Sequence, residues 1–277
     1  MPTTSPAARR AAARELEEAG FVDVGEDVAE LADAARGDDT ILAALVARRK
    51  TGEPLAWITG TTRFCGRSIA VCPGVYVPRP QSEPLAKRAA HLLADHCLAH
   101  RGGAVGLAHR GRAVDLGTGS GALARVLLDR CPGASVIGTE RDPLAAACAR
   151  RNGVRVAEGD LFDGVPAAWR ATVDVVVGVL PYVPTRELAF LPHDVRAFEP
   201  EGALDGGPDG LAILRRAVVQ SASWLRPGGH LLVEIGGDQP DAVPELLEES
   251  GFGALDILYD ADGDARGLQA VAAVAGR

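Results

Sequence analysis

The chain has 277 residues, of which 47% are hydrophobic and 24% charged. These values exclude a disordered chain, a collagen and a coiled coil, and leave room for one large domain with a smaller appendage. A formal net charge of −8 argues against general nucleic-acid binding, because phosphate contacts need a dense basic surface. No apolar run is long enough to span a membrane, and the basic start lacks the apolar stretch of a secretory signal, so the expected compartment is the cytoplasm.

In chain order, residues 5 to about 51 read as helices. Leu16, Phe21, Val28, Leu31 and Ala35 recur at three- and four-residue steps, and Ile41, Leu42, Leu45 and Val46 follow the capping run Asp38-Asp39-Thr40. Such short helices are expected to pack on another part of the protein. From Thr59 to Pro80, Phe64, Ile69, Val71, Val75 and Val77 lie among glycines and prolines, which predicts a hairpin ended by Pro78-Arg79-Pro80. A helix is expected from Gln81 to about His100, then a Gly- and Arg-rich loop over Arg101–Arg112. Beyond it, apolar runs at Ala113–Leu116, Ser135–Thr139, Val154–Ala157, Val173–Val179 and His230–Ile235 alternate with helical patterns at Gly121–Arg130, Pro143–Arg151, Asp209–Leu225 and Asp238–Ser250. This alternation predicts an α/β fold whose parallel sheet is covered on both faces. Leu255–Tyr259 and Leu268–Val274 have no helix between them and are expected to pair as a terminal antiparallel hairpin. Cys65, Cys72, Cys97, Cys131 and Cys148 form no CxxC pair, so they read as buried thiols rather than disulfides or zinc ligands, and no metal site is expected.

The first strand of the alternating region runs into Asp115-Leu116-Gly117-Thr118-Gly119-Ser120-Gly121. Glycines here allow a tight turn and close approach of a ligand. The spacing also suits a dinucleotide, but a carboxylate at Asp115 would repel a nearby pyrophosphate and suits a ligand with a cationic amino-acid part, such as S-adenosylmethionine (SAM). Glu140, with Arg141 beside it, ends the next strand and is placed to accept ribose hydroxyls. Asp160, with Leu161 and Phe162, follows the third and is placed for an adenine ring.

These motifs resemble class I SAM-dependent methyltransferases, whose Rossmann-like sheet has seven mostly parallel strands ending in an antiparallel hairpin. The resemblance extends to the HemK/PrmC family, which methylates glutamine amides in peptide-chain release factors. It is carried by Gly52–Gly60, by Gly74–Glu83 with Gln81 and Ser82 departing from the family's PRP-acid-T-E segment, by Phe198-Glu199-Pro200, by Ala203–Leu211 and by Glu234-Ile235-Gly236. It implies a small N-terminal helical domain (1–58), a linking hairpin (59–80) and a methyltransferase domain (81–277). The implied partner is a protein substrate such as a release factor, or alternatively a small molecule, with neither direct nucleic-acid contact nor a membrane. The remaining alternative is a SAM-binding paralogue without turnover.

The family's Asn-Pro-Pro-Tyr is here Val179-Leu180-Pro181-Tyr182. The resemblance makes this turn the acceptor site. Valine neither donates nor accepts a hydrogen bond, so main-chain carbonyls of the turn are left to orient an amide. Two further residues carry weaker signals. His193 reads as a solvated histidine rather than a base, and Arg79 as a partner in an ion pair with Glu83 or Glu199.

Overall fold

The computed structural model describes residues 3–99, 111–236, 239–260 and 262–273. The chain opens on α1 (Pro6–Glu18), α2 (Val24–Ala34) and α3 (Asp39–Arg49). Ser5 caps α1 by accepting from the Ala8 N–H, and the Asp38 carboxylate caps α3 by accepting from the N–H groups of Thr40 and Ile41. Leu16, Leu31, Leu42 and Val46 are fully buried and share a core with Ile58 of α4 (Leu55–Thr59). The short helices thus pack largely on one another. Each large apolar side chain so buried contributes about 1.5–3 kcal/mol, enough to offset the weak intrinsic stability of short helices.

The other side of α4 faces the hairpin. Trp57 donates from Nε1 to the Val75 carbonyl at 2.9 Å, and its ring meets Phe198 edge-on at 6.2 Å. Strands β1 (Thr61–Phe64) and β2 (Arg67–Ala70) pair antiparallel through a turn at Cys65 and Gly66. Both turn residues have positive φ, the geometry that matches the twist of a two-residue hairpin. The hairpin ends at Ala70, short of the expected Pro80. Val75 is buried against Ala145 and Cys148, and Val77 against Trp57, so these valines serve packing and not strand pairing. A 3-10 turn over Pro80–Ser82 leads into α5 (Glu83–Ala99). The expected loop at Arg101–Arg112 lies outside the described residues up to position 110, and Arg112 already belongs to a strand.

The alternating region gives β3 (Arg112–Leu116), α6 (Ala122–Arg130), β4 (Ser135–Glu140), α7 (Pro143–Arg151), β5 (Val156–Glu158), β6 (Val173–Gly178), α8 (His193–Phe198), α9 (Ala212–Trp224), β7 (Leu225–Glu234), α10 (Gln239–Glu249), β8 (Phe252–Tyr259) and β9 (Ala265–Ala272). Its seven-stranded sheet has the order β5-β4-β3-β6-β7-β9-β8. The first five strands in this order are parallel, and β9 is antiparallel to both β7 and β8. Alternate residues bury opposite faces. Val114, Leu116, Val176 and Leu231 enter one core, while Ala113, Val175, Val177 and Leu232 enter the other with Leu85, Leu93 and Leu127. The chain runs outward from β3 in one direction through β4 and β5, and in the other through β6 and β7. This reversal opens a crevice at the carboxyl ends of β3 and β6.

Some boundaries differ from expectation. Val154 precedes β5 and packs beneath Gly121, so its apolarity reflects packing and not strand pairing. β7 begins at Leu225, ahead of the expected His230, because the register shifts between Val173 and Val175 and the polar Arg226–Gly229 segment is accommodated as an irregularity. Cys131 and Cys148 are buried, the other three cysteines are half-buried, and no disulfide joins any of the five among the described residues.

Candidate functional site

At the crevice, the carboxyl ends of β3, β4 and β6 open into a cleft of about 380 Å³, with a side cavity of about 40 Å³ lined by the Gly-rich turn. The turn itself requires glycine: φ is +61° at Gly117, +56° at Gly119 and +83° at Gly121. The three glycines do different work. A Cβ on Gly119 would meet nothing nearer than 4.0 Å, so this position faces open cleft. A Cβ on Gly121 would lie 2.9 Å from Val154 and 3.0 Å from Ala149, so this glycine lets α6 sit against the following β-α unit. Gly117 lines both cavities, whereas Gly121 lines neither.

Asp115 is 2% exposed. Its Oδ2 accepts from the Thr118 hydroxyl at 2.6 Å and from the Ala124 N–H at 3.0 Å. It thereby ties down the turn and satisfies an otherwise open N–H in the first turn of α6. Burial pushes its carboxyl up to about 7, a rise that these two bonds oppose and nearby Glu140 reinforces. Asp115 and Thr118 line the side cavity. Glu140, at the end of β4, accepts from the Gly119 N–H at 2.9 Å through Oε2 and from the Asp142 N–H at 3.0 Å through Oε1. It lines the cleft, and each oxygen keeps a lone pair for a further donor.

Arg141 also lines the cleft and donates to the Gly202 carbonyl at 2.9 Å. Asp160 lines it as well, with Oδ2 held by Arg216. Leu161 is brought to the cleft by a left-handed backbone, φ +49°. Phe162, expected beside it, instead turns into the core, where it stacks on Trp224 at 5.1 Å, and it does not line the cleft.

The opposite wall is the turn from Val179 to Tyr182, all four of whose residues line the cleft. Val179 is half-buried and Leu180 is buried. The carbonyls of Val179 and Leu180 accept no hydrogen bond from any other described residue. The turn is held from behind. Gln239 Nε2 donates to the Tyr182 carbonyl at 3.0 Å and to the Gly210 carbonyl at 3.2 Å, while its Oε1 accepts from the Gly236 N–H at 3.1 Å. A Cβ on Gly210 would fall 2.3 Å from the Tyr182 carbonyl oxygen, and one on Gly206 2.7 Å from that of Pro181. The Gly206–Leu211 segment therefore needs its glycines to press against the turn. Sequence reasoning missed Gln239; the only signal was a glutamine at the start of the last helix.

A third wall comes from the segment before α5. Arg79 pairs with Glu199 and lies over the Tyr76 ring at 5.0 Å. Burial pushes the Glu199 carboxyl up, against the lowering effect of Arg79. Behind Tyr182, Glu234 is 3% exposed; the Ser82 and Tyr182 hydroxyls face it, and neither of its oxygens makes a well-formed hydrogen bond. Burial pushes the Glu234 carboxyl and the Tyr182 phenol upward. His193 is exposed at the start of α8 and does not line the cleft.

A parallel sheet reversing at β3, a glycine turn beside a buried carboxylate, and a second acid at the next strand end together define a SAM-dependent class I methyltransferase. The residues fit that cofactor, since the side cavity offers a carboxylate for an ammonium group and the cleft an acid for hydroxyls and a leucine for an aromatic ring. The chain belongs to the family of release factor glutamine methyltransferases. It is 39% identical over 214 residues to that of Geobacter sulfurreducens, covering 75% of this chain and 69% of the relative. It is 37% identical over 214 residues to that of Bordetella pertussis, covering 75% and 74%. Over 229 residues it is 35% identical to that of Gloeobacter violaceus, covering 79% and 75%. Among solved structures, the release-factor-specific protein-(glutamine-N5) methyltransferase of Alicyclobacillus acidocaldarius is similar at a TM-score of 0.44 and 24% identity, over 74% of this chain and 99% of that one. No protein-family model matches the chain.

Proposed function

We propose that the protein methylates the side-chain amide nitrogen of a glutamine in a peptide-chain release factor. The observation that carries this reading is the pair of uncommitted carbonyls, Val179 and Leu180, across the cleft from the glycine turn. When bound, SAM supplies an electrophilic sulfonium methyl group. Asp115 would neutralise its ammonium from the side cavity, Glu140 would accept from its ribose hydroxyls, and Gly117 and Gly119 would let the backbone come close. Leu161 would pack on the adenine, and Asp160 and Arg141 line the same cleft. Thr118 keeps the Asp115 carboxylate in place.

An amide nitrogen is a poor nucleophile because its lone pair is delocalised into its carbonyl. Carbonyls at Val179 and Leu180 accept its N–H groups and turn the lone pair toward the methyl. Pro181 stiffens that turn, and the Tyr182 ring walls it. Alignment of this kind is worth several kcal/mol. In this reading residues 1–58 are a helical domain, 59–80 the link and 81–277 the methyltransferase domain. The apolar side chain of Val179 favours a second reading, in which a different nitrogen or oxygen acceptor, on a protein or a small molecule, enters the cleft.

The test uses methyl-labelled SAM, the full chain and a purified release factor, beside Asp115→Ala. Label on the release factor with the unaltered chain, and its loss in the variant, supports the reading. No label on the release factor while other species in a homologous lysate take it up would favour the second reading.

A further inference from the structure

Most polar side chains lining the cleft are already committed. Arg79 pairs with Glu199, Arg141 donates to Gly202, both Glu140 oxygens hold backbone N–H groups, Asp142 caps α7, and Asp160 pairs with Arg216. Thr139 Oγ1 has no partner, but it is fully buried where β4 pairs with β3. Gln81 differs from all of these. It lines the same cleft as Val179–Tyr182, is half-buried, and makes no hydrogen bond to another described residue. The 3-10 turn over Pro80–Ser82 fixes its backbone.

We propose that Gln81 is the side chain that recognises the acceptor amide, doing for this protein what the apolar Val179 cannot. A carboxamide offers two donors and an acceptor on one planar group, so it can donate to the acceptor's carbonyl, a contact the main-chain carbonyls of the turn cannot make, and share one of its N–H groups with them. A carboxylate at 81 would accept only, and would meet the acceptor's carbonyl oxygen with a negative charge. Two of the departures from the family pattern in this cleft, at 81 and at 179, therefore form one change: the carboxamide has moved from the turn after β6 to the turn before α5. This inference rests on the glutamine reading above.

The test compares the full chain with Gln81→Ala, Gln81→Glu and the double variant Gln81→Ala/Val179→Asn, measuring kcat and KM for a purified release factor and Kd for SAM. Because Gln81 makes no internal bond, the variants should fold, which thermal melting checks. Gln81→Ala should lower kcat/KM about 10- to 100-fold, as expected for loss of one or two oriented hydrogen bonds to the acceptor. SAM affinity should stay within about twofold, Gln81→Glu should not rescue, and the double variant should recover at least about tenfold over Gln81→Ala. Unchanged kcat/KM in Gln81→Ala, or SAM binding weakened by the same factor as kcat/KM, would overturn the inference while leaving the glutamine reading standing. No transfer to the release factor by the unaltered chain overturns that reading and this inference with it.

Discussion

Gln239 holds the carbonyl of Tyr182 at 3.0 Å from a position 57 residues away in the chain. The same amide reaches Gly210 and Gly236, so three segments meet on one buried side chain. This bond fixes the back of the turn whose front faces the cleft, while the carbonyls of Val179, Leu180 and Pro181 accept from no other described residue.

Replacing Gln239 by Leu should leave three backbone groups without partners. The expected cost is about 1–3 kcal/mol of stability, read by denaturant melts, with a fall in turnover and little change in SAM affinity. Gln239→Glu should not rescue, since a carboxylate cannot donate to the two carbonyls. Full turnover in Gln239→Leu would mean that the clamp does not position the turn.

With Asp115 facing the ammonium group as proposed, SAM binding should depend on pH. Its carboxyl is pushed up to about 7 by burial, so below that pH the folded protein without ligand holds a proton there that an ammonium ligand must displace. SAM affinity should therefore rise as pH increases from about 5.5 and level off above about 7, with proton release measurable by calorimetry in buffers of different ionisation enthalpy. The stability sign is the opposite. A raised folded-state pKa stabilises the ligand-free protein fully at pH values below the ordinary carboxyl range, and this contribution is lost as pH rises toward 7. Asp115→Asn should weaken binding and flatten its pH profile; a profile as steep as that of the unaltered chain would assign the titration to another group.

Gly119 and Gly121 are expected to separate binding from folding. Both have positive φ, so alanine at either costs about 1–2 kcal/mol in backbone strain. Only at Gly121 would the added carbon also strike Val154 and Ala149. Gly121→Ala should lower the melting temperature more than Gly119→Ala, whereas Gly119→Ala should lower SAM affinity more. The reverse order would contradict the division of labour between the two.

Much of this site was legible because its signals are local. Asp115, Gly117, Gly119 and Glu140 sit at strand ends, and a strand followed by glycines declares its own end. The terminal pairing of β8 with β9 was legible for the same reason, since no helix intervenes. What was hidden depended on packing partners distant in sequence. Val75 and Val77 looked like strand residues because burial against Ala145 and Trp57 selects the same side chains as a sheet does. Phe162 looked like a ring for the adenine, but the left-handed backbone at Leu161 aims one residue at the cleft and the next at Trp224. Gln239 carried no local sign of its reach to Tyr182.

Val179→Asn tests the acceptor class. In the Gln81→Ala background, where no carboxamide faces the acceptor, returning a hydrogen-bonding side chain to the turn should raise methylation of a release factor roughly 10- to 100-fold, as one oriented bond to the reacting amide would. If the acceptor is not an amide, the same change places an unpaired polar group in an apolar wall, lowers activity on the true substrate and costs about 1–3 kcal/mol of stability. Parallel rate and melting measurements separate the two.

In the proposed reaction the methyl group reaches a glutamine side-chain nitrogen. The most direct measurement is tandem mass spectrometry of a release factor incubated with SAM and the unaltered chain, mapping the modified atom by fragmentation. The expected result is a single added methyl on a glutamine side-chain amide, absent when Asp115→Ala replaces the unaltered chain. A methyl on any other residue type, or a release factor unchanged in mass beside a methylated small molecule, would contradict it.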